Sequence, residues 1–150
     1  MSLKVETVWT AIKALSVTSL TIKDIGEVTE AYEIRGAVLF PLIDNPVTIA
    51  APKRQSFGIG SVAKKDVNYT LNYRLLYAPV GSERGVKEIY SNMFVMVANL
   101  FNAVVNNDAL SGTIDIQPRI ASTSTTVKDP AGSSFYGLDI SLDVLEYYEV

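Results

Sequence analysis

The sequence contains no cysteine and no histidine among its 150 residues. Without cysteine the chain has no disulfides, no thiol nucleophile and no thiolate metal ligand. Without histidine it lacks the commonest general base and metal ligand, so serine triads and the usual zinc sites are excluded. Any catalysis would have to rely on carboxylates or tyrosines. We therefore expect no enzymatic activity, no metal and no cofactor.

Charged residues are also scarce, at 19% of the sequence, while 48% of the residues are hydrophobic. This balance predicts that some apolar surface is covered in an oligomer. The net charge of −3 argues against a general nucleic-acid binder, which needs a basic surface. Lys4, Glu6 and Lys13 interrupt any signal-peptide core, and no apolar run approaches the roughly 20 residues that span a bilayer. We expect no membrane partner.

Hydrophobic residues recur at every second position on both sides of one helical segment. They alternate from Val67 to Tyr77, and again within residues 114–120 and 136–144. Between these stretches, residues 82–107 place hydrophobic side chains three and four positions apart, which predicts a long amphipathic helix capped by Ser82. Hydrophobic residues thus repeat with a period of two residues, then 3.6, then two again, which predicts a single α+β domain over residues 1–150. Its mostly antiparallel sheet would carry the long central helix on one face.

The remaining segments complete this prediction. A short N-terminal helix runs from Ser2, its predicted N-cap, to Leu15, and Trp9 packs it on the sheet. Residues 18–40 read as two strands, with Pro41 ending the second. Residues 41–66 are rich in turn residues and predict an extended arm or hairpin, with a short strand at 47–50. Residues 122–134 predict a mobile loop or an open hairpin turn before the final strand.

Two segments carry charge of one sign. The segment 53–65 holds four bases and no acid, and residues 136–150 hold four acids and no base. The basic segment faces DNA in a channel, an acidic patch on a partner, or solvent. The acidic strand either contacts the basic arm of a neighbouring subunit or protects a sheet edge. A catalytic carboxylate pair is disfavoured, because nothing in the sequence indicates that two of these acids have different pKa values.

The order of elements resembles one known family. A tyrosine-rich strand ends in Leu75-Leu76-Tyr77-Ala78-Pro79 and leads into the long helix, and the closing strand reads Phe135-Tyr136-Gly137-Leu138-Asp139-Ile140-Ser141-Leu142-Asp143-Val144. This layout is similar to that of the tail-terminator (tail-completion) proteins of long-tailed bacteriophages. The resemblance implies a virion protein of the tail and neck, assembled in the host cytoplasm. It implies a ring, typically a hexamer, that ends the tail tube and meets the head-side connector.

The partners implied are copies of this chain, the tail tube protein, the head–tail connector protein and DNA passing through the lumen. The family has no motif from which a residue can be carried over, so the predicted interface residues come from the charges themselves. Arg74 and Arg84 join them because they flank the Pro79–Gly81 turn, where either forms a salt bridge between subunits or lies in solvent. The predicted interface residues are Lys53, Arg54, Lys64, Lys65, Arg74, Arg84, Asp139, Asp143 and Glu146.

Two other functions remain open at this point. A head–tail connector or stopper subunit would share the same features. A small ligand-binding module would instead hold a pocket between helix 82–107 and the sheet.

Overall fold

A computed structural model describes residues 4–24, 36–42, 44–49, 53–55, 64–81, 86–106, 114–122, 124–130 and 132–149. The helices are α1 (Val5–Lys13) and α2 (Val86–Val105). The strands are β1 (Leu20–Ile22), β2 (Ala37–Pro41), β3 (Val47–Ile49), β4 (Lys53–Gln55), β5 (Lys64–Pro79), β6 (Ile114–Ile120), β7 (Thr126–Lys128) and β8 (Ser134–Glu149). The predicted α+β class, with a mostly antiparallel sheet and one long central helix, is confirmed.

Strands β5 and β8, of 16 residues each, form the centre of the sheet. They pair antiparallel from Lys64 opposite Glu149 to Pro79 opposite Phe135, with one irregularity at Leu76/Ala78. Side chains alternate between the two faces of a sheet, so this register decides which residues share a face. One face buries the odd-numbered residues of β5 from 67 to 75 and the even-numbered residues of β8 from 138 to 146.

Shorter strands line both sides of this central pair. β2, β3 and β4 lie one after another along β5, while β6 and β7 lie along the other side of β8. These contacts are antiparallel, whereas β1 and β2 run parallel. The two strands predicted within 18–40 correspond to β1 and β2, and the predicted strand residues within 25–35 lie outside the described residues.

The segment 41–66 is a hairpin rather than a free arm where the structure describes it. β3 pairs with Tyr69–Leu71 of β5, and β4 pairs with Lys64–Asp66, so residues 56–63 connect two antiparallel neighbours. The backbone of Asn72 in β5 forms hydrogen bonds with the residues on both sides of the gap between β2 and β3. The Leu42 N–H donates to the Asn72 carbonyl, and the Asn72 N–H donates to the Pro46 carbonyl, both at 2.9 Å.

Both helices pack on the same face of the sheet. Their buried side chains form one hydrophobic core with the buried residues of β5 and β8. The helical members are Val8, Ile12, Met93, Met96, Val97, Leu100 and Val104. Trp9 packs on the sheet as predicted, because its ring lies 6.1 Å from that of Tyr73. Trp9 is only half-buried, so its contribution is below the about 1.5–3 kcal/mol of a fully buried large side chain. A smaller cluster on the opposite face contains Val38, Phe40, Leu76, Val127 and Phe135.

The bounds predicted for the two helices need correction. α1 begins at Val5 with Lys4 at the N-cap position, so Ser2 is not its N-cap, and the helix ends at Lys13. α2 spans Val86–Val105, and the predicted Ser82 cap lies outside the described residues. Of the two alternatives predicted for residues 122–134, the hairpin is confirmed, because β7 lies within this segment and pairs antiparallel with β8.

The expectation that no apolar run approaches a membrane span is also wrong. Lys87–Val105, 19 residues long, has the length and composition to cross a membrane. A helix packed on the core of a domain passes the same test, and α2 buries one side on the sheet.

Gly137 generates a prediction about this fold. It lies opposite Leu76 at the irregularity of β5, and a Cβ atom there would collide with the Leu75 carbonyl and approach Val127 Cγ2 to 2.8 Å. We expect Gly137→Ala to lower the free energy of unfolding by about 1–3 kcal/mol, because the backbone of β5 must shift. Urea unfolding measures this effect.

Ser134→Ala, at the exposed start of the same strand, is the matched control and should change the free energy of unfolding by less than about 0.5 kcal/mol. Equal effects for the two variants would contradict the close packing of Gly137.

Candidate interaction surface

The face of the sheet opposite the helices carries a row of paired polar side chains. We call this row the polar ladder; it consists of the cross-strand pairs Arg74–Asp139, Asn72–Ser141 and Thr70–Asp143. The Ser141 hydroxyl donates to Asn72 Oδ1 at 2.9 Å, and the Thr70 hydroxyl donates to Asp143 Oδ1 at 2.9 Å. Hydrogen bonds between opposite residues stabilise a β-sheet and fix its register.

Arg74 and Asp139 make the strongest contact of the ladder. Arg74 Nε donates to Asp139 Oδ1 at 2.7 Å and Nη2 donates to Oδ2 at 3.0 Å. Two parallel hydrogen bonds of this kind fit the planar guanidinium group of arginine. The Asp139 hydrogen bond raises the pKa of Arg74 above its ordinary value, although burial opposes this effect. Arg74 Nη1 also donates to the Lys128 carbonyl at 3.1 Å, which ties β5 to β7.

Asp143 is paired as well, by an arginine that the sequence analysis did not single out. Arg119 of β6 donates from Nε to Asp143 Oδ2 at 2.6 Å. Asp139 and Asp143 were predicted as contacts for a neighbouring subunit, and the structure gives each an arginine partner within the chain. The alternation of polar residues in 115–119 places Arg119 on one face with Asp115, but only the register of β6 on β8 identifies its partner.

Glu146 differs from the other two predicted acids, because it lies on the core side of β8 and is only 3% exposed. Both of its carboxylate oxygens accept the Lys4 backbone N–H, at 3.0 and 3.1 Å, at the start of α1. The first amides of a helix lack partners and carry partial positive charge, so a carboxylate there is stabilising. Glu146 has an even number, like the buried residues Leu142 and Val144, so the period of two already indicated that it lies on the core face. The sequence analysis missed this signal.

Two buried tyrosines lie beside residues that hold α1: Tyr69 is next to Glu146, and Tyr73 is next to Trp9. Burial raises the pKa of Tyr69 above its ordinary value, and the neighbouring Glu146 carboxylate raises it further. Burial likewise raises the pKa of Tyr73, with a smaller contribution from the charge of Asp24. Asp24 Oδ1 also accepts the Trp9 indole N–H at 3.1 Å. α1 is therefore held by hydrogen bonds at its start and in its middle.

The four predicted basic residues come together in the backbone. Lys53 and Arg54 lie in β4, Lys64 and Lys65 begin β5, and Arg54 is directly opposite Lys65. We call these four residues the basic hairpin. In the same register Lys53 is opposite Asp66 and Lys64 is opposite Glu149, so two of the four bases have an acid as their cross-strand neighbour. Arg84 lies outside the described residues.

A cavity lies at the other end of the central strand pair. We call it the end pocket; its volume is about 360 Å³, and its walls are Phe40, Leu42, Asp44, Arg74, Lys128, Asp129 and Pro130. Asp129 is only 5% exposed, and its Oδ1 accepts the Ser133 N–H at 2.7 Å. Its second oxygen, Oδ2, is buried and has no hydrogen-bond donor among the described residues.

The outer side of α2 carries hydrophobic side chains that the core does not use. Phe94 is 45% exposed, Val95 59% and Val105 62%. With Ala98 they form what we call the apolar stripe, since residues four and seven positions apart lie on one side of a helix. Among the described residues no cluster of three or more acidic side chains is arranged to hold a metal ion.

No protein-family model matches the chain, and no curated protein matches its sequence significantly. The likeness to phage tail terminators therefore rests on the order and size of the elements.

Glu146 gives the first prediction for this surface. Glu146→Ala leaves the half-buried Lys4 N–H without its acceptor, so we expect the free energy of unfolding to fall by about 1–3 kcal/mol. The fluorescence of Trp9, the single tryptophan, should change as well if α1 loosens. Asp115→Ala, an exposed acid on β6, is the control, and an equal effect of both variants would argue against the anchoring role.

The two arginine pairs give a second prediction. The Arg74 and Asp139 side chains are 27% and 23% exposed, whereas those of Arg119 and Asp143 are 53% and 44% exposed. Double-mutant cycles with Arg→Met and Asp→Asn should give coupling of about 1.5–3 kcal/mol for the first pair. The exposed pair should give about 0.2–1 kcal/mol, with stronger loss in salt. Equal coupling in both pairs would show that burial does not control their strength.

Proposed function

We propose that this chain is a structural subunit that assembles with copies of itself into a ring, as its resemblance to phage tail terminators implies. The ring would end the tail tube and offer its other surface to the head-side connector. In this role the protein binds and positions other proteins and transforms no substrate.

The observation that carries this proposal is the apolar stripe of α2. Large hydrophobic side chains that stay half exposed on the longest helix indicate a surface that another protein covers. About three turns of α2, from Phe94 to Val105, therefore carry apolar residues on two sides, one side for the core and one for a neighbour. The low fraction of charged residues supports the same conclusion.

A ligand-binding module receives less support. A pocket for a small molecule would be expected between α2 and the sheet, but Met93, Val97 and Leu100 fill this space and are each less than 5% exposed. A head–tail connector or stopper subunit would need a similar oligomeric surface. Co-purification with tail tubes, or with portal-containing heads, distinguishes these two roles.

Oligomerisation tests the proposal directly. We expect the wild-type protein to form a concentration-dependent oligomer with a central hole, seen by negative-stain microscopy and sized by analytical ultracentrifugation. Phe94→Ser with Val95→Ser should weaken this association at least about tenfold, because both side chains would lose apolar contact on assembly. Both positions are exposed, so the fold of the single subunit should persist, as circular dichroism can verify.

Asn99→Ser with Asn102→Ser changes the same exposed side of α2 without removing apolar area, and it should assemble like the wild type. A wild-type protein that remains a monomer at high concentration would overturn the ring proposal.

A further inference from the structure

We propose that Pro118 prevents the free edge of β6 from pairing, antiparallel, with β6 of a second copy of this chain. A ring formed through the outer side of α2 and a sheet extended through β6 are different assemblies. The role of Pro118 is therefore independent of the proposed ring function.

β6 lies at the end of the sheet. The strand order runs from β1 through β2, β5 and β8 to β6, and no other described strand lies along the outer side of β6. An edge strand presents unpaired backbone N–H and C=O groups, which are a template for a strand of another chain. This edge is also partly hydrophobic, because Ile114 is half-buried and Ile120 is 43% exposed. Such an edge favours the addition of an identical strand unless a residue within it opposes pairing.

A hydrogen bond just beyond β6 shows which of its residues face the free edge. The Ala121 N–H donates to the Asp139 carbonyl at 2.8 Å, one position past the pair of Ile120 with Ile140. In an antiparallel pair, residues that bond to the neighbouring strand alternate with residues whose backbone groups point away from it. The odd-numbered residues of β6 therefore bond to β8. The even-numbered residues direct their backbone groups to the free edge.

Pro118 is one of these outward-facing residues. Proline has no N–H, and its ring fills the position from which an N–H would reach a neighbouring strand. Proline is tolerated in a sheet where its nitrogen faces away from the paired strand, which is the arrangement here. The ladder between β6 and β8 therefore loses no hydrogen bond, whereas a strand approaching from outside would meet the proline ring.

The side chains of β6 are complementary to a second copy of the same strand. Two copies aligned antiparallel about Gln117 place Asp115 of each copy opposite Arg119 of the other. The same alignment places Ile114 opposite Ile120. Opposite charges and apolar pairs at facing positions stabilise a strand pair, so the side chains alone would favour this contact.

The backbone at residue 118 opposes the same alignment. Residue 118 of each copy would have to donate its N–H to the Ile116 carbonyl of the other copy, and proline cannot do so. Because the contact is two-fold, both the missing hydrogen bond and the obstruction by the ring occur twice in each pair. Pro118 therefore opposes a contact that the neighbouring side chains favour.

Amide hydrogen exchange, quenched and then read by NMR, tests the free edge residue by residue. In the wild type we expect the Ile116 and Ile120 amides to exchange at least about tenfold faster than those of Gln117 and Arg119, which bond to β8. This difference should persist at every protein concentration. Equal protection of the two sets, or protection of Ile116 and Ile120 that grows with concentration, would overturn the proposal, because the edge would then be covered.

Pro118→Thr tests the role of the proline directly. The variant supplies the missing N–H and a residue that favours strands. We expect it to associate at least about tenfold more tightly than the wild type in analytical ultracentrifugation, because two hydrogen bonds become available in each pair. The Ile116 and Ile120 amides should become protected as the concentration rises. Pro118→Ala, which also restores the N–H, serves if the threonine variant does not fold.

Two further variants control for side-chain effects. Gln117→Thr introduces the same residue where the N–H already bonds to β8, and it should associate like the wild type. Asp115→Arg added to Pro118→Thr places arginines opposite each other and should reverse the gain in association. A gain that survives this change would overturn the alignment about Gln117.

The remaining outcomes separate the role of Pro118 from the ring proposal. Unchanged association of Pro118→Thr, or an equal gain in Gln117→Thr, would overturn the role of Pro118 and leave the ring proposal standing. A monomeric wild-type protein whose Pro118→Thr variant associates would overturn the ring and support the role of Pro118.

Discussion

The antiparallel register between β5 and β8 is the constraint on which the other features depend. Because the side-chain period is two, this register sends one set of residues to the helices and the other to the polar ladder. A slip of β8 by one residue would put Asp139 into the core, expose Leu138 and leave Arg74 without its partner. The two-bond contact of Arg74 with Asp139 and the close packing at Gly137 both oppose such a slip. Hydrophobic burial and polar pairing thus specify the same alignment from opposite faces.

The shorter strands follow from this central pair, because each break beside it is closed by a specific residue. Asn72 binds the residues on both sides of the β2–β3 break through its backbone, and its side-chain amide donates to the Asn45 carbonyl. At the β6–β7 break, the Ala121 N–H donates to the Asp139 carbonyl, and the Ser122 hydroxyl accepts the Asp139 N–H. Interrupted strands bend more easily than continuous ones. These breaks let short strands follow two long ones without losing backbone hydrogen bonds.

Periodicity predicted the elements well and their pairing poorly. The alternation in 67–77 and 136–144 and the helical spacing in 86–104 are local signals, so the class of the fold followed from the sequence. The parallel pairing of β1 with β2, the burial of Glu146 and the partner of Asp143 depend on residues far apart in the chain. Charge counting over a segment was misleading for the same reason. It grouped Glu146 with Asp139 and Asp143, although the even position of Glu146 places it on the opposite face. The end pocket combines residues from three separate segments, and no local pattern marks it.

The two sides of α2 show why its composition alone does not identify its surroundings. Ile89, Met93 and Leu100 are almost completely buried on the sheet, so a large part of the hydrophobicity of α2 is already used within the subunit. On the outer side, asparagines are interspersed among the residues of the apolar stripe. An exposed amide is costly in hydrocarbon, where it finds no water, but it is readily accommodated at the rim of a protein interface. The mixture of half-exposed hydrophobic residues and amides on this side therefore favours a protein neighbour over lipid.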